Sequence, residues 1–141
     1  MPPSDLAAHP AQTVWPRYDG RSLLNLVTSL AGHFGVSTGH APLASPLPLD
    51  GIETVVLVVA DGLGHFPLEW HLGAGRLPHL AALLDGGTAL YSTATSTFPS
   101  STMIAMTTLH TGASPAQHGW LGTAIHAGGS VVDVLCASAT C

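Results

Sequence analysis

The sequence predicts an α/β fold: an incomplete, doubly wound, mostly parallel sheet, the N-terminal portion of such a domain. Three observations lead there. The run "TVVLVVA" (Thr54–Ala60) is continuously apolar and rich in β-branched residues, as in a parallel strand buried on both faces. Strand-like and helix-like segments alternate after it. The chain is 46% hydrophobic and 8% charged, a composition that suits part of a larger core better than a self-sufficient domain.

Each element has a local reason. Residues 1–50 read as an arm rich in proline and small residues, one helix and a proline-rich loop. The helix is "RSLLNLVTSLAGHFG" (Arg21–Gly35), with Leu23, Leu24, Val27, Leu30, Ala31 and Phe34 at helical spacing and Gly35 as its stop. Prolines 42, 46 and 48 keep the next stretch irregular. Residues 51–141 hold the α/β part. The first strand ends at Asp61-Gly62, and "RLPHLAALLDGG" (Arg76–Gly87) reads as a short helix ending at a glycine pair. "TALYSTAT" (Thr88–Thr95) is a second predicted strand and "SVVDVLCA" (Ser130–Ala137) a third. Between them Pro99 sets up a helix from about Ser101 to His110, closed by Thr111-Gly112.

Charge excludes some functions. Net charge is −5, the three basic residues (Arg17, Arg21, Arg76) form no cluster, and binding to a nucleic-acid polymer is not expected. Nine histidines against eight carboxylates leave metal chemistry open. Cys136 and Cys141 match no zinc or redox spacing. The N-terminus has no secretory pattern, and no apolar run approaches the ~20 residues that span a bilayer. The expected location is cytoplasmic.

Two places carry chemistry. Asp61 stands at the carboxyl end of the predicted strand, where open α/β sheets bind ligands and where a carboxylate can hold a cation. A turn or cap aspartate is an equally good reading of that position. The second place is "STFPSSTMIAMTTLHTG" (Ser96–Gly112). Ser100 and Ser101 are N-cap candidates, and Thr102 falls in the first helical turn. Free N–H groups and the positive end of the helix dipole would surround these hydroxyls, and a metal could activate one as a nucleophile. His65, four residues after Asp61, could share a metal if the segment were helical. A hydrogen-bonding loop histidine is the preferred reading there.

These residues resemble the alkaline phosphatase superfamily, and within it the type I phosphodiesterase/nucleotide pyrophosphatase group. Five elements carry the resemblance, in order: Asp61-Gly62, the "PxLxxLxxxG" helix from Pro78, Phe98–Thr102, Thr111-Gly112, and the "P-x-x-H-G" loop Pro115–Gly119. The resemblance implies that Asp61 is a metal ligand. It implies that a hydroxyl near Pro99 binds the same metal and attacks phosphorus. Across the superfamily the nucleophile sits ten residues before the helix-closing glycine, which here is Thr102. Ser101 is its nearest rival, and the "T-F-P" string of animal-type members would instead give Thr97.

By the same resemblance, two divalent metals, zinc, act on a small-molecule phosphate ester through a phospho-threonine. The family's other metal ligands fall in the part that would follow Cys141; His118 belongs to the "HG" loop, and Asp133 is the last carboxylate. The chain is therefore expected to be inactive by itself. The alternative is a non-catalytic relative that pairs with another chain through its sheet edge.

Overall fold

Helix α1 spans Leu23–His33, within the stretch the apolar spacing marks. The computed structural model describes residues 14–127 and 129–133. Both cysteines, residues 134–137 of the third predicted strand and the first 13 residues of the arm lie outside the described residues.

The start of α1 is fixed by a polar residue rather than an apolar one. Asn25 is fully buried, and its Oδ1 accepts from the N–H (3.0 Å) and Oγ–H (2.6 Å) of Ser22. Its Nδ2 donates to the carbonyls of Tyr18 (2.9 Å) and Ala41 (2.9 Å). All four hydrogen-bonding positions of the amide are used, so its burial carries no unsatisfied penalty. One side chain thus ties the chain before α1 and the loop after it to the helix start.

The chain divides into two units. One combines the described residues up to Pro46 with those from Thr95 onward; the other is Leu47–Ala94. In the first, α1 packs against α4 (Thr102–Thr111), which in turn contacts α5 (Pro115–His118). Its buried apolar side chains are Leu24, Ile104 and Leu109, joined by the polar Ser22, Asn25, Thr28, Thr97 and Thr108. The face of α1 that is buried is thus Leu24-Asn25-Thr28, whereas Phe34 of the predicted apolar stripe is exposed. A strand pair, β1 (Ala124–Ala127) with β2 (Ser130–Asp133), is antiparallel, with Ala124 opposite Asp133.

Gly112 ends α4 in the left-handed conformation, φ +65°, as the helix-closing glycine predicts. It also permits close approach: a Cβ there would lie 2.6 Å from Thr38 Cγ2. Thr38 is held in turn by a 2.8 Å hydrogen bond between its Oγ1 and that of Thr28 on α1.

The second unit contains α2 (His65–Gly73) and α3 (Pro78–Asp85). Helix α3 has Pro78 at its first turn, where the missing N–H costs nothing, and ends at Gly86. The predicted loop after Asp61 is corrected to a helix at His65. Pro67 is tolerated there because it falls in the first turn.

The predicted parallel sheet is not formed among the described residues. Thr54–Ala60 is not a strand, and residues 54–59 make no backbone hydrogen bond within the described chain. Thr88–Thr95 contributes only a single parallel bridge, Thr95 with Ser22, and Ser130–Asp133 pairs antiparallel instead. The reason is physical. A helix satisfies its own backbone, but a strand exists only where a neighbour offers complementary N–H and C=O groups, and among the described residues none bonds to Thr54–Val59. The apolar run is left in water, with Val56 81% and Val58 82% exposed.

Candidate functional site

Thr102 is the first residue of α4 and is exposed. Ser101 is the N-cap in extended geometry, and its side chain makes no capping hydrogen bond. The first helical bond runs from Ala105 N–H to Ser101 O, 3.0 Å. Of the two serine candidates Ser101 is the N-cap, and it caps by backbone geometry alone, leaving its hydroxyl outside the cap.

Thr97 is placed quite differently. It is 2% exposed, and its Oγ1–H donates to Pro99 O at 3.0 Å. Phe98 N–H donates to Tyr18 Oη at 3.2 Å, and the Phe98-Pro99 peptide is cis. Together these bonds fix the segment that leads into α4.

In the other unit, Asp61 lies in a turn, with Ala60 O accepting from Leu63 N–H (3.3 Å) and Gly62 at φ +77°. One Asp61 carboxylate oxygen accepts from Gly62 N–H, 2.9 Å. His65 opens α2, bonds Tyr91 Oη through Nδ1 (3.1 Å) and approaches Glu69 at 3.7 Å. Tyr91 Oη also donates to Glu69 (3.4 Å), and limited desolvation with the Glu69 charge raises the Tyr91 pKa above 10.0. The expected hydrogen-bonding histidine is present, on a helix rather than a loop.

The loop motif Pro115–Gly119 forms a one-turn helix. Gln117 Oε1 accepts from Ser114 N–H (2.8 Å), Ser114 Oγ–H (3.0 Å) and His40 Nε2–H (2.6 Å). Gly119, at φ +74°, turns the chain so that Trp120 N–H donates to His118 Nδ1 at 3.1 Å. The other ring nitrogen, Nε2, lies 3.1 Å from Oγ1 of the buried Thr108. Burial lowers the His118 pKa from its ordinary 6.5.

Sequence reasoning missed a cleft of about 530 Å³ in this unit, lined chiefly by Trp15, Tyr18, His40, Phe98, Ser114 and Pro115. Its rings come from segments far apart in the chain. No local pattern signals it; Trp15 and Phe98 meet with ring centres 5.5 Å apart.

The two metals that the resemblance implies have no complete donor set here. Among the described residues no three His, Cys, Asp or Glu side chains lie where they could hold a metal ion. Asp61 and Thr102 are two donors, fewer than the four of a closed zinc site. They also belong to different units.

No curated protein and no solved structure gives a significant match to this chain. The family profile for type I phosphodiesterase / nucleotide pyrophosphatase matches residues 55–135, corresponding to the N-terminal part of a longer family member. That stretch holds Asp61-Gly62, α3, Thr97 to Thr102, Gly112 and the Pro115–Gly119 turn. It covers more than half of the 141 residues, and the chain belongs to the type I phosphodiesterase/nucleotide pyrophosphatase family.

Proposed function

We propose that this chain carries the nucleophile-bearing part of a phosphoester hydrolase, with Thr102 Oγ1 as the attacking atom. The family is a hydrolase family of phosphodiesterase/pyrophosphatase type, generally metal-dependent, and implies an alkaline phosphatase-like α/β fold. A small-molecule phosphate ester fits it as substrate, and no helix among the described residues is long and apolar enough to cross a membrane.

The observation that carries the reading is the place of Thr102. It is exposed at the first position of a ten-residue helix, beside a serine whose side chain makes no cap bond. Helix first-turn N–H groups have no intrahelical acceptor and sit at the positive end of the dipole, so they favour a phosphate anion and the charge that develops on it. Thr102 Oγ1 would bond phosphorus, its proton would pass to solvent, and the leaving-group oxygen would depart. Water would then hydrolyse the phospho-threonine. Thr97 suits attack poorly, because its hydroxyl is buried and donates to Pro99 O. Ser101 remains the rival. Asp61 would be the metal-binding carboxylate, but among the described residues the donor set falls short of a metal site.

A second reading is favoured by the run Thr54–Val59, unpaired within the described chain, and by the incomplete donor set among the described residues: the 141-residue chain does not turn over and instead pairs with another chain. Hydrolysis of bis(p-nitrophenyl) phosphate with added Zn²⁺ separates the two. Turnover lost only in Thr102→Ala supports the first and overturns the expectation that the chain is inactive by itself. Background rates in wild type, Thr102→Ala, Thr97→Ala and Ser101→Ala alike support the second. Loss confined to Thr97→Ala or Ser101→Ala overturns the choice of Thr102.

A further inference from the structure

We infer that His118 is a positioning residue for α4, its neutral Nε2–H tautomer acting as a crosspiece between the Pro115–Gly119 turn and the helix that carries Thr102. The inference rests on the reading of Thr102 as the reacting group.

The tautomer follows from the partners. Trp120 N–H can only donate, so His118 Nδ1 is the acceptor and carries no proton. A neutral imidazole then has its proton on Nε2, which donates to Thr108 Oγ1. Thr108 is fully buried on α4, on the side that also presents Ile104 and Gly112. The ring is thus pinned at both nitrogens. One bond holds the chain that leaves α5, the other holds α4.

Protonation would undo one of the two. The imidazolium donates from both nitrogens, so the Trp120 N–H would face a second donor and must leave. Among the described residues His118 makes no ion pair with an acidic group that would favour that cation. Residues 86–132 contain no Asp, Glu, Lys or Arg. The titratable groups on the surrounding elements are His110 on α4, His40 through Gln117 on α5, and His33 at the end of α1. Arg17 and Asp19 precede α1 and pair with each other at 3.6 Å. The depressed His118 pKa agrees with this setting.

The test is an NMR titration of the full chain in a His110→Gln background, which removes the histidine of α4. Imidazole ¹⁵N shifts should show unprotonated Nδ1 and protonated Nε2 at neutral pH. On acidification the Trp120 and Thr108 amides should move with the midpoint of His118, below 6.5. Two variants divide the ring's roles. His118→Gln keeps a donor for Thr108 and should abolish the titration of both amides. His118→Asn keeps an acceptor for Trp120 but should speed hydrogen exchange of Ala105 to Leu109 at least tenfold. An Nδ1–H tautomer, α4 amides that ignore the His118 titration, or unchanged exchange in His118→Asn would each overturn the inference. None of these readouts depends on turnover, so a failure of the Thr102 reading would show separately, as unaltered hydrolysis in Thr102→Ala.

Discussion

Replacing Gly112 with alanine strikes the joint that sets the end of α4. Two costs can be worked from the geometry. A residue with a Cβ at φ +65° sits in left-handed space, at about 1–2 kcal/mol. The new Cβ would also lie 2.6 Å from Thr38 Cγ2, about 1 Å inside ordinary carbon–carbon contact. Thr38 cannot simply swing away, because its Oγ1 is held 2.8 Å from Thr28 Oγ1, so the overlap is overpacking, worth roughly 1–3 kcal/mol. The stiffer unfolded chain offsets about 0.4–1 kcal/mol of this. The expected net loss is roughly 1–4.6 kcal/mol, up to a large fraction of a typical domain's stability. Urea denaturation followed by far-UV circular dichroism measures it. Thr38→Ser removes the clashing methyl and keeps the hydroxyl, so Thr38→Ser/Gly112→Ala should recover the overpacking share and leave the backbone cost. A single-variant loss under about 0.5 kcal/mol, or no recovery in the pair, would refute the reasoning.

Other outcomes follow from the same geometry. Asn25→Ala should cost at least about 3 kcal/mol, because it strands the Tyr18 and Ala41 carbonyls and the Ser22 N–H; a thermal melt with an unchanged midpoint would contradict this. Thr97→Ala should lower stability by about 1–2 kcal/mol while the exposed Thr102→Ala stays within about 0.5, as read by urea midpoints. Because the His118 pKa is depressed on folding, its contribution to stability is complete above about 6.5 and is lost as pH falls through the folded value. Urea midpoints should therefore drop between pH 7.5 and 5.5, by less in His118→Gln. Finally, Val56→Lys/Val58→Lys should suppress concentration-dependent light scattering of the chain, since it puts charge into an exposed uncharged β-prone run.

What could be read in advance divides along local and non-local lines. Helices α1, α3 and α4 were legible because spacing, Pro78 and Gly112 act within a few residues. The predicted ends fall within a residue or two of Leu23–His33, Pro78–Asp85 and Thr102–Thr111. Thr102 in the first helical turn was likewise legible, from Pro99 and the two serines that follow it. The strands were not, because Thr54–Ala60 has the right composition but no strand partner among the described residues. Nor was the polar core: an asparagine in a helix gives no sign that four scattered groups will converge on it. The roles of His118 and Thr108 were hidden for the same reason, since the backbone turn at Gly119 creates them.

The bonds that close the first unit also set a clock on its biosynthesis. Arg17 N–H to Thr95 Oγ1 spans 78 residues, Phe98 N–H to Tyr18 Oη spans 80, and His40 to Gln117 spans 77. At ~5–20 residues per second, a ribosome needs roughly 4–16 s to deliver the second partner after the first. Once Ala41 has emerged, α1 has its Asn25 clasp but not α4, whose Ile104 and Leu109 complete the buried set with Leu24. Thr54–Ala60 leaves the exit tunnel in the same window, uncovered. For several seconds per molecule, the nascent chain therefore offers a chaperone two apolar segments at once.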